Sequence, residues 1–182
     1  IERPDYALLS AGARVVPEFT SSTLDIRPRG MIRRTLANLL GHGTLVQARP
    51  PATVLDPDNN LGKCWPMSGT IGSIGIALTR KIKIEEIVIE HVNFKLAYEI
   101  ESAIKDFEIW SWNEKSNLLI KIGEGIFDIN KKDYIQKFPI ITKDEEEEEE
   151  KFESNLVVIK ILSNSGNPDF TCLYRVRVHG SR

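Results

Sequence analysis

From Ile74 onward, apolar and polar positions alternate with a period of two, the signature of strands with one buried face. Ile82, Ile84, Ile87 and Ile89 lead to His91, and Glu85-Glu86 interrupts the phase as a β-bulge does. Phe107, Ile109 and Ser111 alternate with Glu108, Trp110 and Trp112. Leu118, Ile120 and Ile122 alternate with Leu119 and Lys121. Tyr134 to Ile141 and Leu156 to Leu162 are further β-branched runs. At the end, Phe170, Cys172, Tyr174, Val176 and Val178 alternate with Thr171, Leu173, Arg175, Arg177 and His179, which predicts one strand with Cys172 and Tyr174 on the same face. Six or more short strands with turn residues between them predict an all-β antiparallel sandwich, jelly-roll-like in architecture. There is no long amphipathic helical pattern and no internal repeat.

The first third reads differently. Pro17, Pro28, Gly30, Gly41, Gly43, Pro50, Pro51 and Pro57 punctuate it as loop. Between the breaks lies a ten-residue apolar segment, residues 31–40. Met31, Ile32, Leu36, Leu39 and Leu40 share a face if it is helical. Its length is marginal for an independent helix, and a hairpin arm lying on another surface fits equally well.

Composition narrows the function more than the fold. In 182 residues, 41% are hydrophobic and 27% charged, enough for one domain with a sizeable core. With 24 Lys+Arg against 26 Asp+Glu, a domain-wide basic grip on nucleic acid is excluded. No apolar run approaches a membrane span, and the first residues carry no signal-peptide pattern. A membrane tether is expected outside this sequence, and the start without Met suggests an excised domain. Two cysteines exclude a four-cysteine zinc site. Cys64 and Cys172 can be one disulfide or two free thiols.

No G-x-S-x-G, H-E-x-x-H, P-loop or G-x-G-x-x-G motif is present, so no enzyme is expected. A Cys64–histidine thiol pair has no spacing to support it. His42 between two glycines and His179 near the terminus are expected to face solvent. Arg33-Arg34 reads as a solvated pair, and Trp65, Trp110 and Trp112 as core or edge packing. The segment Asp56-Pro57-Asp58-Asn59-Asn60-Leu61-Gly62-Lys63-Cys64 is dense in oxygen donors and turn formers. It is either a hard-cation loop or an Asx-rich turn. The run of seven acids from Asp144 to Glu150 reads as a solvated surface loop.

Several stretches together resemble the SUN domain, the luminal domain of inner-nuclear-membrane proteins. They are Asp5-Tyr6-Ala7-Leu8-Leu9-Ser10-Ala11-Gly12-Ala13, residues 58–65 (DNNLGKCW), Gly69-Thr70-Ile71-Gly72, Glu90-His91, residues 102–107 (SAIKDF) and residues 161–180 (ILSNSGNPDFTCLYRVRVHG). The likeness runs in order over nearly the whole chain, about 1–180.

The resemblance implies a non-enzymatic β-sandwich with a protruding lid, about 21–48, a cation loop, about 53–64, and here an acidic loop, 143–151. It implies binding of the C-terminal peptide of KASH proteins in the perinuclear space. That pairing is the LINC bridge, which couples the nucleoskeleton, or chromosomes and the spindle pole, to the cytoskeleton in nuclear positioning. A lid edge carrying Met31, Ile32, Leu36 and Leu39 would pair with an extended peptide by strand addition. His91, Ser102 and Tyr174 would form the pocket for the peptide's terminal carboxylate, because hydroxyls and an imidazole can supply charge-assisted hydrogen bonds. Asp56 and Asp58 would hold a potassium-like monovalent cation beside backbone carbonyls, and Cys64–Cys172 would be a disulfide. A homotrimer driven by a preceding coiled coil is implied for the full-length protein. That coiled coil is absent from this sequence, so a monomeric fragment with weakened peptide affinity is expected.

Departures from the family pattern shape further expectations. The covalent partner cysteine of animal members would fall near Thr20, so a covalent link to KASH is not expected. Phe170 replaces a tyrosine, and Lys63 stands where an amide is common, which puts the cation's identity and affinity in question. The long acidic run adds to these, and together they suggest a fungal or other non-animal member. A carbohydrate-binding β-sandwich is the alternative from another class, since jelly-roll lectins share the architecture.

Overall fold

The computed structural model describes residues 3–24, 48–93, 95, 97, 99–131, 133–141 and 152–182. Among them lie nine strands: β1 (Arg14–Val16), β2 (Trp65–Ser68), β3 (Gly72–Glu90), β4 (Asp106–Asn113), β5 (Leu118–Ile126), β6 (Ile135–Pro139), β7 (Glu153–Ile161), β8 (Phe170–Leu173) and β9 (Arg175–Ser181). Short 3-10 turns fill some of the connections. The all-β antiparallel sandwich is as the alternation predicts.

The 19-residue β3 organises both layers. Its first half pairs with β1 and β7, which extends through β4 to β5. Its second half pairs with β6 and β9. One strand thus passes from one layer into the other, and irregularities along it provide the turn. One lies between Ala77 and Ile82 against β7, and another between Ile84 and Glu86 against β9. The second leaves Glu85 as the extra residue, where the broken phase of Glu85-Glu86 predicts a bulge. β2 and β8 form a separate two-stranded ladder.

The core lies between the layers. Ile74, Ile76, Val157, Ile159, Phe107 and Ile109 come from one layer, and Ile87, Ile89, Val176 and Val178 from the other, all almost fully buried. Burying each such side chain stabilises the fold by about 1.5–3 kcal/mol before entropy is counted. Trp65 is completely buried and its indole N–H donates to Thr23 Oγ1 at 3.0 Å, as expected for a core tryptophan. Trp110 and Trp112 lie half-buried on the opposite face of β4. Trp110 stacks under the Lys160 ammonium, 3.8 Å from the ring centre, and Trp112 meets Phe19.

Two expectations are corrected. The terminal run is two strands, not one: β8 pairs with β2 and β9 with β3, and Tyr174 stands between them. The chain changes ladders there, so Cys172 and Tyr174 do not share a strand face. His179 does not face solvent. It is 5% exposed, with Nδ1 2.8 Å from the Pro4 carbonyl, because the amino-terminal segment folds across β9. Asp5 anchors that segment by accepting from the Val178 and Ala7 amides at 3.1 and 2.9 Å.

Candidate functional site

The polar groups singled out by sequence lie toward the end where β3 and β8 finish and β9 begins. His91 directly follows β3 and keeps the parity of Ile87 and Ile89, so it sits at the edge of the core face. It is 4% exposed. Its backbone N–H donates to the Tyr134 carbonyl at 2.8 Å, and its Nδ1 lies 3.1 Å from the Val92 carbonyl. Burial pushes the imidazole pKa below its usual value, and the Val92 contact partly opposes this. The ring meets Tyr174 edge to face, centroids 4.7 Å apart, and Phe127 at 6.3 Å. Phe127 also lines a cleft of about 260 Å³ with Lys105, Asp128, Asn130 and Ser165.

Tyr174 stands at the ladder change between β8 and β9 and is buried. Its hydroxyl accepts the Gly62 N–H at 3.3 Å, which leaves the hydroxyl hydrogen for another acceptor. Burial raises the phenol's pKa, so the hydroxyl keeps its proton at neutral pH. Ser102 closes the 3-10 turn Ile100–Ser102, which packs against β8. It is buried, and its hydroxyl donates to the Glu99 carbonyl at 2.8 Å. His91 and Tyr174 are in contact, and Ser102 sits on the turn beside the strand that leads into Tyr174.

The loop before β2 completes this end. Cys64 and Cys172 are joined by a disulfide, with Cα atoms 5.5 Å apart, which ties the loop to β8. Asp56 Oδ1 accepts the Asp58 N–H at 2.9 Å. Asp58 Oδ1 accepts from Asn60 Nδ2, and its Oδ2 from the Lys63 ammonium. The lysine's hydrogen bond is the main reason the Asp58 carboxyl lies below the usual range.

Glu90 belongs to this end although it was not among the sequence-predicted residues. It is 3% exposed, on the face of β3 opposite Ile87 and Ile89. Arg175 is its direct cross-strand partner. The Arg177 guanidinium contacts Glu90 Oε1, Arg175 Nη1 lies 3.6 Å from the same oxygen, and Arg175 also pairs with Asp5 at 3.4 Å. Asn59 Nδ2 donates to Glu90 Oε2 at 2.7 Å, so the carboxylate joins the loop to the sheet. The signal available in sequence was Arg175 and Arg177 two apart on one strand, facing a lone acid at strand phase.

Met31, Ile32, Leu36 and Leu39, the Arg33-Arg34 pair, His42, most of the segment 21–48 and all of 143–151 lie outside the described residues. Among those that are described, Thr23 bridges to Met67 and the Leu24 N–H donates to the Pro66 carbonyl at 2.9 Å. Thr20 Oγ1 donates to the Val16 carbonyl and accepts the Gly75 N–H.

Fold and site together define a β-sandwich module with a disulfide-anchored loop and a buried histidine–tyrosine pair at one end. The Sad1 / UNC-like C-terminal family matches residues 44–182, and the chain belongs to this family, the SUN domains. It is 33% identical to SUN domain-containing protein 5 of Homo sapiens, over all of this chain and 45% of that protein. It is 38% identical to SUN domain-containing protein 3 of Mus musculus over 99% of this chain and 53% of that protein. It is 34% identical to sperm-associated antigen 4 protein of Mus musculus over 100% and 39%. The chain therefore spans about half the length of these relatives or less.

Among solved structures, it is similar to the family 32 carbohydrate-binding module of Streptococcus pneumoniae EndoD. The TM-score is 0.62 at 12% identity, covering 98% of this chain and 100% of that one. A putative chitobiase fragment from Bacteroides thetaiotaomicron matches at TM-score 0.65 and 10% identity, covering 100% and 94%. At such identities the likeness shows a shared sandwich fold and nothing about ligand.

Proposed function

We propose that this SUN domain works in a LINC-type bridge at the nuclear envelope, facing the perinuclear space, where it captures the C-terminal tail of a KASH protein. The observation that carries the reading is the buried His91–Tyr174 contact beside the disulfide-anchored loop, in a chain of this family. A terminal carboxylate is a strong acceptor, and the Tyr174 hydroxyl has its hydrogen to give. Ser102 would turn its hydroxyl from Glu99 to the incoming carboxylate. His91, kept neutral by burial in the free domain, would gain a favourable counter-charge once the carboxylate arrives, so protonation and binding reinforce each other. The segment about 21–48 is the arm proposed for strand addition, and a trimer of the full-length protein would present three such sites.

The test is fluorescence anisotropy with a labelled KASH tail peptide, as free acid and as C-terminal amide, on the domain fused to a trimerising coiled coil. The free acid is expected to bind, and either the amide or His91→Ala to weaken binding by about tenfold or more, the scale of one charge-assisted hydrogen bond. Equal affinity for acid and amide would overturn carboxylate capture. A trimerised domain that ignores the peptide but binds a galactose-type sugar would favour the carbohydrate alternative.

A further inference from the structure

A hard cation needs carboxylate or carbonyl oxygens with lone pairs turned toward it and little competing positive charge. In the loop 53–64 the acidic side chains are already drawn into the chain's own hydrogen bonds. Both Asp58 oxygens are engaged, Oδ1 by Asn60 and Oδ2 by the Lys63 ammonium. Asp56 already accepts the Asp58 N–H. The Pro57 and Asn60 carbonyls each accept a backbone N–H from within the loop, from Asn59 and Lys63, at 3.0 Å. Among the described residues, no three His, Cys, Asp or Glu side chains are grouped to hold a metal ion. Of the loop's two carboxylates, the Asp58 charge is met by the Lys63 ammonium.

The rest of the loop is secured by the chain itself. Asn59 donates to the buried Glu90 carboxylate, the Gly62 N–H to Tyr174, and Cys64 is bonded to Cys172. These ties come from three different elements and need no ion to bring them together.

We infer that Lys63 is a built-in replacement for the loop cation, so that the loop, and with it the Gly62 tie to Tyr174, is ordered without a free monovalent ion. The ammonium is a compact, hydrated point charge with three donors, which is how a small monovalent cation acts on oxygen ligands. Being tethered five residues from Asp58, it is present whatever the ionic composition of the compartment. A free cation entering the same oxygens would have to displace it or sit beside a like charge. The inference concerns the loop alone and does not rest on the peptide reading.

The experiment compares the 182-residue chain with Lys63→Asn, which restores an amide, and Lys63→Met, which keeps the stem and removes the charge. Amide hydrogen exchange at residues 58–64 and the thermal midpoint are measured in potassium chloride and in choline chloride at equal ionic strength. No peptide is present, so failure here is separate from failure of the binding reading. The native chain is expected to give the same protection in both salts. Lys63→Met should exchange about two- to fivefold faster in both, the scale of a part-exposed ion pair. Lys63→Asn should be faster in choline; recovery in potassium, or none, equally supports the inference, since each shows that the native order depended on the lysine. Loop protection in the native chain that rises and saturates with potassium, but not with choline, would overturn it. So would native-like protection of both variants in both salts. The thermal midpoint serves as the check that each variant is folded.

Discussion

The imidazole of His91 and the phenol of Tyr174 meet edge to face with centroids 4.7 Å apart, and the same phenol accepts the Gly62 N–H. A strand end, a break between two ladders and a loop are thereby joined through one side chain. Tyr174→Phe keeps the ring contact and removes only the hydroxyl, and with it the Gly62 hydrogen bond. Because Gly62 is exposed, water can replace the lost partner, and the cost is expected at the low end of about 0.5–1.5 kcal/mol. Tyr174→Ala empties the ring's site and is expected to cost about 3–5 kcal/mol. Urea unfolding of the two variants gives both numbers. Equal losses would mean that the hydroxyl, not the ring, carries the packing of this end.

The depressed pKa of His91 makes stability depend on pH with a definite sign. Burial disfavours the charged ring in the folded state, so the unfolded chain binds a proton more readily. The stabilisation is full above the ordinary histidine value of about 6.5 and is lost as pH falls from there through the folded pKa. Unfolding free energy is therefore expected to fall between about pH 7.5 and pH 5.5, before most carboxylates titrate. In His91→Gln, which cannot titrate, that part of the slope should vanish. An unchanged slope would assign the effect to other groups.

Glu90 lies under two arginines and one amide, and removing it strands charges that the fold has buried. Arg175 and Arg177 are each less than a fifth exposed, and both face the Glu90 carboxylate. Glu90→Ala is expected to cost about 3–5 kcal/mol, as breaking a buried pair from one side does. Glu90→Gln keeps an acceptor for Asn59 and should cost less. Its specific sign would be faster amide exchange in the loop 56–63, measured alongside chemical denaturation. Arg175→Met, with Asp5 and Glu90 left behind, provides the comparison from the other side of the network.

What the sequence made legible were the features written in local alternation. Ile82, Ile84, Ile87 and Ile89 announce β3, and the doubled Glu85-Glu86 announces its bulge, because a period of two cannot absorb an extra residue silently. The Cys64–Cys172 bond was legible only through family resemblance, since a separation of 108 residues carries no geometry. The break at Tyr174 was hidden because alternation continues on both sides of it. Only the choice of partner, β2 for one half and β3 for the other, divides the run. His179 was misplaced because what covers it, the Pro4 segment, lies 175 residues away. Lys63 and Glu90 are likewise settled by partners that folding delivers: Asp58 across a turn, and two arginines across a ladder.

Stability and the candidate site can be separated at Gly180. This residue pairs with Ile84 beside the bulge on β3. A Cβ added there would stand 2.1 Å from the Lys83 carbonyl oxygen and 2.9 Å from Ile82 Cδ1. The closer atom is backbone, so the two strands must move apart to accept even a methyl group. Gly180→Ala is expected to cost about 1–3 kcal/mol and to lower the thermal midpoint accordingly. Cys172→Ser costs about 2–5 kcal/mol by a different route, releasing the loop whose Gly62 N–H donates to Tyr174. Measured well below both midpoints, peptide affinity should be native in Gly180→Ala and reduced in Cys172→Ser. The far end of β9 then bears on the fold alone, and the disulfide end bears on both. If the two variants lose affinity in proportion to their lost stability, the loop has no separate role in peptide binding.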